Sequence, residues 1–575
     1  MSIINLDNLS KSENQLFNSI ADDIKYAYNE LIIKLSNNHI SNINWIVGSI
    51  ASRNKYQSKL FERCCKLVLT IKLIEINYNI TKIELKDYAL ADILNKYMST
   101  HNKDIDVILN EKFQGYVWRI TRPYRQFIIG FYQYFWRFIK RKKSYISHLK
   151  NNDNEITLLD TFVLNSTPGA GGTISNNKYN DRYYTGIFNY LSSSESKNIY
   201  YLPTIVGYLN PASTFSMIRN CKDQFIVPDD FMSLSDYFNI LSHPFNLLKI
   251  KVPNILFKGI NIKSLIKQEI FHTCSDQISF LGVFNYIFPY RLKSHRIKIH
   301  LLVDWFENQV IDRGLQVGFH SFLPQVKTIG YQGYIISPAL HLYVFPNKTE
   351  ILSRAIPDKI AVIGNGLLSQ IKMFSVDLNV VTSPAFRFQK LWDKRKKYPS
   401  RHHFTILVSL PISLPHSKMI LEKMVIINNK HYKTKNNYRM IIKPHPTYTV
   451  DIIKSLVEYN WDKIYKFSSG EFNDILEESD LVITNASSTA VESLARAVPV
   501  IIIGEENGIL QNPIPTDINK EMWHVCYTHL DIEKSIIKFS NKKSKINFEN
   551  EAFKIREKYF NQVNRDSVKK FLNLN

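Results

Sequence analysis

The chain has 575 residues, 45% of them hydrophobic, which is too long for one compact core and points to two or three folded units. Lys and Arg total 73 against 51 Asp and Glu, a formal charge of +22, so an anionic partner is expected: nucleic acid, an acidic membrane surface, or a phosphorylated or carboxylated substrate. Five cysteines with no C-x-x-C pair and no spaced Cys/His set argue against a structural zinc and fit a reduced protein.

The opening stretch, MSIINLDNLSKSENQ, is polar, and no stretch of the chain reaches the roughly 18 apolar residues of a membrane span, so a cytoplasmic location is expected. LFNSIADDIKYAYNELIIKL and SKLFERCCKLVLTIKLIEI carry helical spacing, and residues 1–80 are expected to form a helical N-terminal region. From Arg119 to Lys143, RITRPYRQFIIGFYQYFWRFIKRKK sets an aromatic and apolar block between basic clusters. Two readings of it stay open: a helix lying in the headgroup layer of an anionic bilayer, or an amphipathic helix packed on its own domain. Asn165 to Asp181, NSTPGAGGTISNNKYND, reads as a flexible loop, since it lacks the Lys-Ser/Thr of a phosphate-binding P-loop.

From about Arg296 short β-branched runs recur at IKIHLLV, VKTIG, LHLYVF, KIAVIG and LNVVT, the alternation of a parallel sheet with crossover helices. A basic segment, Trp392 to His403, then reads as an interdomain linker. A second series follows in FTILVSLPIS, YRMIIKPHP, KIYKFS, DLVITNASS and VPVIIIG. The expected plan is a first Rossmann-like domain with insertions over 81–392, a linker at 393–403, a second Rossmann-like domain over 404–540 and C-terminal helices over 541–575.

Three features carry chemistry. Ser487, Ser488 and Thr489 fall at the bend after the strand DLVIT, where backbone N–H groups and hydroxyls favour an anion. Thr489 and Glu492 also match a capping box, the plainer explanation of the same residues. His445 lies between two prolines just after an apolar strand, presented by a stiff loop from which it can donate to a phosphate or protonate a leaving group. Asp304, Glu307 and Asp312 cluster after a strand of the first series, where one can act as a base and the others can cap or pair. Gln332, in IGYQGYIISP, and Ser413, in VSLPIS, are further candidates for the lining of a cleft, against the alternative of ordinary turns.

An acidic motif, then His-Pro, then Ser-Ser resembles the two-domain GT-B glycosyltransferases of bacterial surface polysaccharide synthesis. It is most similar to those using CMP-activated acidic sugars: polysialyltransferases, lipooligosaccharide sialyltransferases and capsule Kdo transferases. The resemblance spans Leu301 to Gly504. It implies an α/β protein of GT-B type, two Rossmann-like domains facing a central cleft with an N-terminal helical region. The acidic motif falls on Glu307-Asn308, with Gln309 where glycine is usual, which makes Glu307 the base and Asp312 its rival. His445 and Pro446 then contact the donor phosphate, Ser487 and Ser488 the same phosphate, and Glu492 the ribose; beside the resemblance, Thr489 and Ser413 are expected at the nucleotide and Asp304 and Gln332 toward substrate.

The activity so implied is transfer of a nonulosonic acid or Kdo-type sugar from CMP to a glycan or lipid-linked glycan acceptor. The CMP-sugar is a co-substrate, and neither cofactor nor metal is expected because no Asp-x-Asp pattern stands in the usual place. The protein would work in the cytoplasm, with possible peripheral contact at an anionic inner membrane. The alternatives are a CDP-glycerol or polyol-phosphate transferase, or a non-catalytic basic protein binding membrane or nucleic acid. The dispersed basic residues and the lack of a recognised motif speak against nucleic acid.

Overall fold

The computed structural model describes residues 2–76, 79–111, 113–142, 154–164, 172–206, 211–335, 341–393, 403–434, 438–461, 465–542 and 548–574. Residues 394–402 of the expected linker, 165–171 of the Gly-rich loop and 336–338 of IGYQGYIISP lie outside the described residues.

The N-terminal unit is built on strand β1 (Ser2–Asn5), helices α1 (Lys11–Ser36) and α2 (Leu60–Ile76), strand β2 (Ile80–Leu85), helix α3 (Tyr88–Thr100) and strand β3 (Asp106–Leu109). Ser10 and Glu13 close a capping box at the start of α1, and Phe17, Ile20, Ile24, Tyr28 and Leu31 recur at helical spacing on its buried face. The region is therefore not all helix, because β1, β2 and β3 form a small parallel sheet, and a boundary at residue 80 falls inside the unit. β2 offers only three buried positions, Ile80, Ile83 and Leu85, too few to reveal a two-residue period.

Helix α4 (Phe113–Lys140) follows, and its inner face packs on α5 (Leu234–Leu241) and α7 (Gln277–Ser294), with α6 (His243–Leu248) beside them. The first large sheet combines β4 (Ile156–Leu164), β5 (Ile199–Val206), β6 (Ile299–Trp305), β7 (Lys327–Gln332), β8 (Lys359–Val362) and β9 (Val380–Thr382). All six are parallel, in the order β9-β8-β7-β6-β4-β5. The strand order reverses between β4 and β6, which is the topological switch point where α/β sheets open a ligand crevice. LHLYVF is not a strand: Leu342–Val344 form a 3₁₀ turn. Its carbonyls are taken by side chains instead of a neighbouring strand, Tyr343 O by Asn308 Nδ2 at 2.7 Å and Phe345 O by Arg53 at 2.9 Å.

Helix α8 (Val310–Phe322) starts just after the acidic motif and crosses α7 at very close range. A Cβ on Gly314 would fall 1.9 Å from the Gly282 carbonyl oxygen, so only glycine fits there. Gly314→Ala is expected to push α8 off α7, costing about 1–3 kcal/mol in a urea titration and displacing the loop that holds Glu307.

The second large sheet contains β10 (Phe404–Ser409), β11 (Tyr438–Lys443), β12 (Tyr465–Phe467), β13 (Leu481–Thr484), β14 (Val500–Ile503) and β15 (Trp523–Cys526). Helix α9 (Leu414–Thr434) follows β10 and α10 (Thr489–Ala495) follows β13. The parallel order β12-β11-β10-β13-β14-β15 is the Rossmann order, with its switch point between β10 and β13. Helix α11 (Glu549–Tyr559) packs on α10 of the second unit, with Arg556 donating to Ala495 O at 2.5 Å, and the chain then crosses back to the first sheet with α12 (Arg565–Phe571). Asn561 N donates to Ile363 O at 2.7 Å, Ala385 N donates to Asn561 O at 3.0 Å, and Phe571 packs on Tyr331 and Phe386. Two Rossmann-like sheets joined by this return crossing make the α/β GT-B class expected from the sequence.

Candidate functional site

The loops after the carboxyl ends of both sheets approach each other, since Arg182 and Arg387 of the first unit act on His445 of the second. On the second sheet, His445 follows β11, Ser413 follows β10 and Ser487 follows β13. β10 lies between β11 and β13, so the strands that lead to His445 and Ser487 end roughly 10 Å apart. On the first sheet, Trp305 ends β6, with the Tyr183 ring tilted against it at 4.3 Å and the Arg387 guanidinium 5.7 Å from its ring centroid.

Electrostatics ties these walls together. Burial pushes the His445 imidazole down to about 4, with Lys443, Arg182 and Arg387 adding to the shift. Two of those cations, Arg182 and Arg387, belong to the first unit. The free site is thus a neutral imidazole held among cations, an arrangement that favours an anion. Thr447 N–H donates to His445 Nδ1 at 3.2 Å. Since an amide can only donate, Nδ1 is the acceptor and the neutral ring carries its proton on Nε2, ready to donate.

Ser487, Ser488 and Thr489 are half-buried at the cleft edge. The Thr489–Glu492 capping box does not form. Thr489 is the first residue of the short helix α10, and its hydroxyl donates to Ser487 Oγ at 2.9 Å, as its amide does at 3.3 Å. Glu492 turns inward instead, buried, and burial raises its carboxyl to about 7 despite Arg387 nearby. Ser413 is half-buried and Pro446 exposed.

Among the three acidic candidates, Glu307 is half-buried, whereas Asp304 and Asp312 are shut away from solvent. Glu307 accepts from Trp305 Nε1 at 3.0 Å and from the Gln309 amide, so both oxygens are oriented by neighbours. Asp312 is the N3 residue of a capping box with Gln309, and its Oδ2 accepts from Glu307 N at 2.9 Å and Gln309 N at 2.8 Å. It shapes the Glu307 loop and offers no oxygen to a substrate. Asp304, assigned to substrate from the sequence, is fully buried and accepts from Gln316 Nε2 at 2.7 Å. Gln332 is equally enclosed, reaching Val344 O at 3.5 Å. Neither is open to solvent.

Burial lifts Asp304 to about 7, and lifts its neighbour Asp160 further with Asp304 adding to it. Their folded values lie above the unfolded one, so the stability they lend is present in acid and is lost as pH rises through about 7. Asp304→Asn is expected to remove that alkaline loss and gain about 1–2 kcal/mol at pH 8, read from denaturation midpoints at pH 5 and pH 8.

The N-terminal unit also reaches the cleft. Lys55 donates to Gln511 Oε1 at 2.6 Å, Gln511 donates to Glu505 at 2.5 Å, and His416 pairs with Glu505 at 3.2 Å. Burial brings the Lys55 ammonium down to about 8, with Glu505 opposing. Tyr56 next to it feels the Glu307 charge, which, after burial, raises its phenol to about 12. Sequence reasoning did not single out Lys55, Arg182, Arg387 or Lys443. Lys443 stands two residues before His445 in the same KPHP motif, the one signal that was within reach. Arg182 directly follows a stretch read as a flexible loop.

The fold defines a two-domain Rossmann protein in which two cations of one unit lie near an imidazole of the other. No protein-family model matches the chain, and no curated protein matches it. Among solved structures it is similar to the S. aureus MnaA–UDP complex, at 10% identity over 73% of this chain and 98% of that one, with a TM-score of 0.41. It is also similar to UDP-GlcNAc 2-epimerase from Neisseria meningitidis bound to UDP-GlcNAc, at 9% identity, 73% and 99% coverage and a TM-score of 0.40. A third is a point variant of the wall teichoic acid polymerase TagF soaked with CDPG, at 9% identity, 78% and 96% coverage and a TM-score of 0.38. At these scores none of them bears on what this chain does.

Proposed function

We propose that the chain is a glycosyltransferase that moves an acidic sugar, of nonulosonic acid or Kdo type, from a CMP-activated donor to a glycan or lipid-linked glycan acceptor. The observation that carries this reading is the meeting of Arg182 and Arg387 from one wall with Lys443 and a neutral, Nε2-protonated His445 from the other. Several cations in one place suit a donor with two negative charges, a phosphodiester and a sugar carboxylate. The motif resemblance selects CMP among nucleotides.

In this mechanism the CMP phosphate sits against His445 and the Ser487–Ser488 bend. Charge that develops on the departing CMP is stabilised by donors already in place, without reorganisation. The incoming anion offsets the three cations and raises the imidazole pKa, so that the ring takes up a second proton from water on Nδ1, which then donates to Thr447 Oγ1 at 2.9 Å, and as imidazolium passes its Nε2 proton to the leaving phosphate. Glu307, oriented by Trp305 and Gln309, takes the proton of the acceptor hydroxyl. Closure of the two units would exclude water from the reactive donor.

A donor screen tests the reading. CMP is expected to raise the thermal midpoint and CMP-linked acidic sugars to be consumed, whereas CDP-glycerol and UDP-GlcNAc leave the protein unchanged. Consumption of CDP-glycerol alone would replace the proposal by polyol-phosphate transfer. Binding by none of the four would remove the enzyme reading.

A further inference from the structure

Helix α4 has two apolar faces, and the fold uses only one. On the inner face Tyr134 contacts Phe280 and Phe284 of α7, and Gly130 allows Phe280 to lie 2.7 Å from where a Cβ would stand. Arg137 is buried on that side in a two-pronged ion pair with Asp229, at 2.7 and 3.0 Å. The inner face is therefore complete.

The outer face should be polar if it met only water. Instead Tyr124, Ile128, Phe131, Phe135 and Ile139 recur every three or four residues along it, exposed by 63%, 65%, 52%, 50% and 46%. The stripe widens onto the neighbouring helices, where Phe238 of α5 is 64% and Phe245 of α6 is 56% exposed. Phe245 meets Phe127 of α4 edge-on at 5.6 Å, so the surfaces are continuous. Half-exposed aromatic and branched side chains in this number leave on the order of 600 Å² of apolar surface, beyond what a soluble monomer ordinarily shows in one patch.

The margins of the stripe are cationic. Residues 113–142 include no Asp or Glu, while Arg125, Lys140, Arg141 and Lys142 lie beside or just beyond the apolar row. Arg125 stacks over Trp118, itself 67% exposed, at 3.2 Å. Among the described residues no helix is long and apolar enough to cross a bilayer, so α4 would lie along a surface.

We infer that the outer face of α4, with Phe238 and Phe245, docks the protein on an anionic lipid bilayer, its rings in the headgroup layer and its flanking cations on acidic lipids. Charge decides between this and a second copy of the chain. Two such helices face to face would bring only positive groups together, whereas an acidic leaflet neutralises them. A nucleic acid would leave the apolar stripe in water.

Vesicle sedimentation tests the inference without any sugar donor, so its outcome is separable from the transferase reading. The full-length protein is expected to co-sediment with phosphatidylcholine vesicles containing phosphatidylglycerol, and much less with phosphatidylcholine alone or at high salt. The double variant Ile128→Glu/Phe131→Glu, both on the exposed face, should keep the wild-type thermal midpoint yet lose roughly tenfold or more of its vesicle partitioning. Equal binding by wild type and variant would overturn the inference. So would a lipid-free dimer that the same two substitutions dissolve, which would make the stripe a contact between copies.

Discussion

His445→Ala is expected to lower the turnover of a CMP-linked donor by about 10²–10³-fold while leaving the thermal midpoint at pH 7.5 nearly unchanged. The large effect follows from preorganisation. The Thr447 amide fixes the ring so that Nε2–H is the donor before any ligand arrives, and Lys443 at the same strand end supplies charge but cannot replace a proton-delivering imidazole. Replacement by glutamine separates two roles. A glutamine amide can still donate to a phosphate oxygen but cannot deliver a proton, so His445→Gln should retain donor affinity and lose turnover. The free ring should titrate near 4 in a proton NMR experiment, and the midpoint should rise when CMP is added, because the phosphate cancels the field of Lys443, Arg182 and Arg387. Since the folded value lies below the unfolded 6.5, the unfolded chain takes up the proton first, and His445 weakens the fold as pH falls from about 6.5 toward 4. An unchanged turnover in His445→Ala would sink the assignment. Arg387→Ala should act differently, raising the KM for the donor with a smaller effect on kcat, because it supplies attraction from the opposite wall.

Much of this architecture was legible in the chain because both large sheets are assembled from β-branched runs buried on both faces. KIAVIG, YRMIIK, DLVIT and VPVIIIG all became strands, since an interior parallel strand needs an unbroken apolar run. The first two strands of the sheet, β4 and β5, were not anticipated. β4 includes Asp160 and β5 includes Pro203, residues that interrupt the expected pattern. Asp160 is tolerated because a buried carboxylate can stay protonated beside Asp304, a property of the pair that neither local sequence reveals. The site was legible in the same uneven way. His445 and the serines are set by local motifs, whereas Arg182 and Arg387 come to the imidazole only when two units fold and meet. The acidic cluster could not be sorted from sequence, since Asp304, Glu307 and Asp312 share one composition and differ only in which side of β6 and α8 each faces. The structure separates them through their partners: Gln316 for Asp304, the loop amides for Asp312, and Trp305 with Gln309 for Glu307.

Glu350→Ala is expected to destabilise the protein by about 3–5 kcal/mol and to reduce turnover as well, although Glu350 lies outside the cleft. Its carboxylate is buried between two guanidiniums, Arg53 of the N-terminal unit at 2.6 Å and Arg313 of α8 at 2.5 Å. Burial alone would raise its pKa, but Arg313 and Arg53 outweigh that and hold it below the usual carboxylate range. Removing it leaves two buried cations with no counter-charge. The effect then spreads along the hydrogen bonds. Glu350 Oε2 accepts from Asn308 Nδ2 at 3.1 Å, Asn308 holds a left-handed backbone with φ of 55°, and Asn308 O accepts from Arg313 Nε at 3.2 Å. Asn308 directly follows Glu307, so loosening it misaims the proposed base, while freeing Arg53 loosens the turn that presents Lys55 and Tyr56. Because the folded pKa is depressed, the stabilisation is present above the unfolded carboxylate range and is lost as pH falls through the folded value, so the wild type should lose more stability in acid than the variant does. Replacing Arg53, Glu350 and Arg313 together by apolar residues of similar volume should restore much of the lost stability without restoring turnover, since the bulk returns but the hold on Asn308 does not. Urea titration and hydrogen exchange over residues 47–58 read the two effects separately. A Glu350→Ala protein with wild-type stability and unaltered exchange in that turn would show that the ion triad neither joins the units nor sets the Glu307 loop.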